Sequence, residues 1–248
     1  VHHPDHADVL QITDASFTVR RGEIVGIAGL MGAGRTELAM SIFGRSHGQK
    51  ITGTATMHGR PIDVSTVGRA MKAGLAYVTE DRKTLGLVLD DPIKHNISLA
   101  SLETISTGGI LDDTRETRIA HDYRAKVAIK CSGILQEVVN LSGGNQQKVV
   151  LAKWLNTSPE ILILDEPTRG IDVGAKYEIY AIINSLAEAG KGVVMISSEM
   201  PELLGMCDRI YVMNEGRIVG EISGAEATQE KIMRMIIQTK EDAHDAGR

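Results

Sequence analysis

The octapeptide Gly29-Leu30-Met31-Gly32-Ala33-Gly34-Arg35-Thr36 constrains this chain more than any other stretch. It follows the apolar run Glu23-Ile24-Val25-Gly26-Ile27-Ala28 and leads into the amphipathic stretch Glu37-Leu38-Ala39-Met40-Ser41-Ile42-Phe43. A buried strand, a glycine loop and a helix in that order predict a phosphate-binding loop. The glycines let successive backbone N–H groups turn around an anion, and the following helix adds its N-terminal dipole. Thr36 stands where a hydroxyl reaches a magnesium ion, but the residue before it, a lysine in the usual pattern, is Arg35.

A strand–loop–helix start calls for an α/β fold, and 248 residues suffice for one large domain of that kind. The formal charge of −5 gives no basic surface for nucleic acid. No apolar run is long enough to cross a bilayer, and no signal peptide is expected. The two cysteines, Cys131 and Cys207, lack CxxC spacing, which points to a reduced, cytoplasmic protein. The histidines of Val1-His2-His3-Pro4-Asp5-His6 sit on a chain end without fixed geometry, and read as a linker remnant rather than a metal site.

Residues 9–28 predict two strands around a turn at Arg20-Arg21-Gly22, joined by a second β-rich piece, Gly53 to Val64, in a small antiparallel sheet beside the loop. A short helix ending at Ala70 to Ala73 precedes a strand at Gly74 to Val78. Residues 84–140 carry mixed charges and helical stretches such as Thr114 to Ile129, and predict a helical subdomain within a core of 8–83 and 141–240. Beyond it, helices at Asn145 to Leu155 and Ala175 to Ala189 alternate with strands at Ile161 to Leu164, Gly192 to Ile196 and Arg209 to Met213. The last of these turns at Asn214-Glu215-Gly216 into Arg217 to Ile222. That alternation predicts a parallel sheet covered on both faces. In the tail helix, Thr228 to Gln238, Ile232, Met235 and Ile236 form a core stripe. His95 and His121 are expected on the surface, Trp154 packed with Lys153 exposed beside it, and Asp81-Arg82-Lys83 in a solvated or partner-facing turn.

Two further motifs carry chemistry. The strand Ile161-Leu162-Ile163-Leu164 delivers Asp165 and Glu166 to its C-terminal edge, where open α/β sheets bind ligands. Asp165 is placed for magnesium, and Glu166, pointing elsewhere, for a general base on an attacking water. Leu141-Ser142-Gly143-Gly144, ahead of the helix from Asn145, makes a second anion-binding nest in one chain. One bound nucleotide does not need both, so the second is expected to face a nucleotide held by a neighbouring domain.

These elements, in this order, resemble the ATP-binding cassette ATPases over nearly the whole chain. Gly32 to Leu38, Thr79 to Lys83, Leu141 to Lys148 and Ile196 to Glu202 are most similar to the second, C-terminal cassette of bacterial monosaccharide importers. The resemblance implies ATP and Mg2+, with Gly29, Gly32, Ala33, Gly34, Arg35, Thr36 and Glu37 around the nucleotide and Ser142, Gly143 and Gly144 serving the partner's. It implies Thr36, Asp165 and Glu80 at the metal, and Glu166, Ser198 and Glu80 in catalysis. Asp172 matches the loop that communicates across a cassette dimer. The implied partners are a second cassette, membrane permease subunits and, indirectly, a sugar-binding protein, at the cytoplasmic face of the inner membrane. Three positions depart from the family: Arg35 replaces lysine, Glu80 a glutamine and Ser198 the switch histidine. No Tyr, Trp or Phe precedes Phe17 to stack on adenine. Arginine's planar fork does not substitute for lysine's compact charge, and serine lacks the imidazole's reach. The expectation is a site that binds ATP and hydrolyses it slowly. The alternatives are a catalytically silent cassette that completes the partner's site and, fitting poorly with the charge, a cassette protein of DNA repair or translation.

Overall fold

The computed structural model describes residues 1–6 and 8–245, with residues 238–245 described by backbone alone. In chain order the elements begin with strand β1 (Ile24–Gly29), helix α1 (Arg35–Ile42), the hairpin β2 (Ala55–Met57) and β3 (Arg60–Ile62), α2 (Val67–Lys72) and β4 (Leu75–Val78). A π-helical turn (Arg82–Gly86), α3 (Ile93–Ser98), a 3-10 segment (Leu99–Ile105), the hairpin β5 (Ser106–Thr107) and β6 (Ile110–Leu111), and α4 (Asp113–Lys126) follow. The chain then forms α5 (Gly143–Leu155), β7 (Ile161–Asp165), α6 (Val173–Glu188), β8 (Gly192–Ile196) and α7 (Met200–Met206), and ends with β9 (Arg209–Asn214), β10 (Arg217–Ser223) and α8 (Gln229–Asp245).

The main sheet has the order β10-β9-β1-β8-β7-β4, parallel throughout except for β10 against β9. Its central strands are apolar up to their C-terminal ends because both faces are covered. Leu162, Leu164, Val193 and Met195 face one core layer, shared with α5, α6 and residues of the 84–140 region such as Ile93 and Ala120. Ile163, Val194 and Ile196 face the other, with Leu38 of α1 and Phe43 at its C-cap. The register sets Ile196 beside both Ile27 and Asp165, so the C-terminal ends of β1, β8 and β7 lie side by side.

Three local expectations are corrected. Residues 13–20 alternate half-buried with exposed, Asp14 with a left-handed backbone (φ +48°), and they join no ladder. The N–H of Thr13 bonds the Gly216 carbonyl, that of Thr18 the Tyr211 hydroxyl and that of Arg20 the Glu23 carboxylate, leaving β2 and β3 as a sheet of their own. Lys153 is buried, with its Nζ donating to the Gly86 carbonyl and lying 5.2 Å from the Trp154 ring centroid. It sits on α5, which is enclosed almost all round between the sheet and the 84–140 region, so this helix has no solvent face for it. In the turn Asp81-Arg82-Lys83, Asp81 and Lys83 are exposed as expected, but Arg82 turns inward and donates to the carbonyls of Arg169 (2.8 Å) and Gly170 (3.4 Å), while Asp81 caps the turn by accepting from the N–H of Lys83 and Thr84. In the tail helix Ile232 and Ile236 are buried, as the stripe predicts.

Candidate nucleotide-binding site

The glycine loop connects the C-terminal end of β1 to α1. Its last glycine, Gly34, has φ +96°, and a Cβ there would stand 2.6 Å from Ile12 Cδ1, so both backbone and packing require glycine. The first N–H groups of α1 have no intrahelical acceptor and open into the loop. Met31 at the tip is almost fully exposed, and Thr36 occupies the first turn of α1.

Asp165 ends β7 and is fully buried. Its Oδ2 accepts from the Tyr77 hydroxyl at 2.9 Å, while Oδ1 is buried without a partner. Burial raises its pKa, against the lowering effect of the Thr36 hydroxyl, Tyr77 and Arg35. A buried carboxylate oxygen left unpaired beside a hydroxyl is the donor set that a hard divalent cation completes, so these residues fit magnesium.

Glu166 follows with φ +48°, an uncommon conformation for a residue with a side chain, held by its N–H on the Ile196 carbonyl (2.9 Å). Burial raises its pKa, and hydrogen bonding from Ser198 and the charge of Arg35 offset this in part. The Ser198 hydroxyl donates to Glu166 Oε2 at 3.1 Å. A carboxyl group held above its ordinary range accepts a proton more readily, which suits a general base.

The Arg35 side chain passes Gly29, where a Cβ would stand 3.4 Å from its Cδ, and ends away from the loop tip. Its Nη1 donates to the Ser197 carbonyl at 2.8 Å and lies 3.8 Å from Glu166 Oε1, with the side chain 11% exposed. Glu80, expected at the metal, pairs with Arg169. Glu37 stands in the first turn of α1, where its charge bears on Asp165 and Tyr77.

The second nest forms the N-terminus of α5. Ser142 is its N-cap residue, yet its hydroxyl accepts from Asn145 Nδ2 (2.9 Å) rather than capping a backbone N–H, and Asn145 Oδ1 accepts from the Lys130 N–H (2.8 Å). Arg82 packs on Gly143, where a Cβ would stand 2.9 Å from its Nη2. The structure thus brings Thr36, Arg35, Asp165, Glu166 and Ser198 to one sheet edge, and sets Ser142, Gly143 and Gly144 on a separate helix end. Sequence reasoning passed over Tyr77, which nothing but its strand position flags. It also passed over Arg169 and over Glu202, whose partners Thr168, Lys176 and Tyr180 lie far from it in sequence.

A parallel sheet with a glycine loop after its central strand, an acidic pair two strands away and a second nest on a helix defines a P-loop nucleotide-binding cassette. The family model described as ABC transporter matches residues 12–169, and the chain belongs to that family. It is 59% identical over 239 residues to the L-arabinose transport ATP-binding protein AraG of Geobacillus stearothermophilus, a match covering 96% of this chain and 47% of that protein. It is 54% identical over 222 residues to the xylose import ATP-binding protein XylG of Geobacillus kaustophilus, covering 90% and 44%. The ribose import ATP-binding protein RbsA of Lactococcus lactis is 48% identical over 235 residues, covering 95% and 47%. The chain spans about half the length of the curated relatives it matches. An ATP-binding cassette of an ABC transporter solved in its ADP conformation superposes with a TM-score of 0.74 at 20% identity, covering 92% of each chain. Among the described residues no helix is long and apolar enough to cross a membrane.

Proposed function

We propose that this chain is the second cassette of a tandem ATP-binding subunit in a bacterial monosaccharide importer. It binds ATP with Mg2+ and couples hydrolysis to uptake through separate permease subunits at the cytoplasmic face of the inner membrane, with a sugar-binding protein acting upstream and no role for nucleic acid. The observation that carries the chemistry is the sheet edge, where the unpaired Asp165 Oδ1 stands near Thr36 and Glu166 is held beside Ser198. The names of the relatives support the sugar assignment.

Bound Mg2+ would neutralise phosphate charge and polarise the transferring group. Thr36 and Asp165 would hold it, with the N–H groups of the glycine loop around the phosphates. Glu166 would take the proton of the attacking water, with Ser198 orienting its carboxylate. Arg35 argues that this hydrolysis is slow, since its guanidinium is committed to the Ser197 carbonyl and to Glu166. The same commitment favours the second reading, a silent cassette whose contribution is its Ser142 nest.

The isolated domain should therefore show little ATPase activity even where weak dimers form, because losing one well-placed transition-state group costs on the order of 100-fold. Turnover is measured with and without Glu166→Gln. Activity typical of a competent cassette that Glu166→Gln abolishes would refute slow hydrolysis at this site.

A further inference from the structure

We propose that Glu202, on the first turns of α7, is a positioning residue that fixes the aim of Glu166 from behind the site. This rests on Glu166 being the base of a hydrolytic site. Glu202 is 6% exposed and stands outside the glycine loop, the metal ligands and the second nest. Its Oε1 accepts from the Thr168 hydroxyl, the Tyr180 hydroxyl (2.7 Å) and Lys176 Nζ (3.1 Å), and its Oε2 from the Ser197 hydroxyl (2.7 Å).

Two of these donors belong to segments that touch Glu166, and the other two to the helix that follows its turn. Thr168 closes the turn Glu166-Pro167-Thr168-Arg169, in which the Arg169 N–H bonds the Glu166 carbonyl at 3.1 Å. That turn carries the left-handed backbone of Glu166, a conformation that persists only where its surroundings over-determine it. Thr168 is 1% exposed, and Glu202 is its side-chain anchor. Ser197 precedes Ser198, the residue bonded to Glu166 Oε2, and its carbonyl receives Arg35. Lys176 and Tyr180 belong to α6, whose N-cap is Asp172. One carboxylate thus joins the turn bearing the base, the strand end bearing its hydrogen-bond donor and the helix that follows the turn.

The charge is the reason a carboxylate is needed. Burial alone would raise the Glu202 pKa, but hydrogen bonds from Thr168, Tyr180, Ser197 and Lys176 leave it lowered, so the group is ionised. Burial and the Glu202 charge raise the Tyr180 pKa, so its phenol is the donor. The remaining charges at the cluster are Lys176 and Glu199, which pair at 2.5 Å. Four donors converging on two oxygens suit a carboxylate and not an amide, whose NH2 end would face another donor.

The test uses the full-length ATP-binding subunit assembled with its permease, with Glu166→Gln defining the share of turnover that passes through this site. Glu202→Gln is expected to lower that share roughly tenfold to 100-fold, the range expected when a catalytic group is displaced by about 1 Å. ATP affinity should stay within about twofold, since Glu202 is not placed to touch nucleotide, and Glu202→Asp should restore part of the rate. In the Glu166→Gln background, Glu202→Gln should add no further loss, because a positioning residue acts only through the group it positions. Ser197→Ala, which removes one arm and keeps the carboxylate, should give a smaller loss of the same kind should Glu202→Gln prove too unstable to assemble. Equal turnover in wild type and Glu202→Gln would overturn the proposal. So would parallel losses of ATP affinity and thermal stability that persist in the Glu166→Gln background. If Glu166→Gln itself leaves turnover unchanged, the hydrolytic assignment fails first and the proposal with it.

Discussion

The two helix starts proposed to bind phosphate in this chain are built alike and committed differently. Both start a helix, α1 or α5, whose first N–H groups lack intrahelical acceptors. At the glycine loop the adjacent cation is used internally, since Arg35 bonds the Ser197 carbonyl and sits near Glu166. At the second nest the side chains form an outward-facing brace, with Asn145 bridging Ser142 Oγ and the Lys130 N–H, and Arg82 supporting Gly143 from behind. The contrast teaches that a helix N-terminus supplies the binding potential, and that the neighbouring side chains decide whether it is spent within the chain or offered outward.

The largest effect is expected at Ser142. If the second nest caps a phosphate held by a partner cassette, Ser142→Arg puts a bulky side chain into that contact and displaces its hydrogen-bonded brace. Sugar uptake and sugar-dependent ATPase of the full-length subunit should fall by about 100-fold or more, as for removal of a transition-state stabilising contact. Uptake within about twofold of wild type would mean that the nest faces no nucleotide.

A smaller effect is expected at Arg35. Arg35→Ala removes the guanidinium from Ser197 and Glu166, but if this loop does not set the rate, uptake should change by less than about threefold. Arg35→Lys, which restores a compact charge on a flexible stem, should raise turnover by the isolated domain. An Arg35→Ala loss as large as that of Ser142→Arg would show that this chain's own loop carries the hydrolysis, and the asymmetry would disappear.

Much of this contrast was legible in the residues themselves. Runs such as Ile161 to Leu164 and Gly192 to Ile196 are apolar at every position, and only a sheet covered on both faces buries such strands. The glycine loop and the acidic pair declare themselves because backbone geometry and charge at strand ends leave few alternatives. What stayed hidden depends on contacts distant in sequence. Nothing local to Arg35 says that its guanidinium reaches Ser197, 162 positions on. Nothing local to Glu80 says that it pairs with Arg169, 89 positions on. Tyr77 reads as one more strand residue until β4 is paired with β7 and its hydroxyl meets Asp165. Lys153 misleads for the same reason, because helical periodicity assumes a solvent face that α5 does not have.

Lys153 also gives the smallest and most separable effect, since it lies away from both nests and bears on stability alone. Burial lowers its pKa from 10.5 to about 8, and its Nζ donates to the carbonyl of Gly86. A lysine whose folded-state pKa is depressed costs stability wherever it is charged in both states. The penalty is full below about pH 8 and is relieved as pH rises toward 10.5, because over that window the unfolded chain binds the extra proton. A shift of that size corresponds to roughly 3 kcal/mol, and losing the hydrogen bond to Gly86 returns about 1 kcal/mol of it. Lys153→Met, which keeps the apolar stem, should therefore stabilise the domain by about 2 kcal/mol at pH 7. The advantage should shrink steadily between pH 8 and 10 in urea unfolding of the two proteins side by side. ATP affinity should not move, because neither the loop nor the Ser142 nest contacts this side chain. A variant less stable than wild type at pH 7, or a difference independent of pH, would mean that the charge is accommodated by solvent and that this part of α5 is not closed.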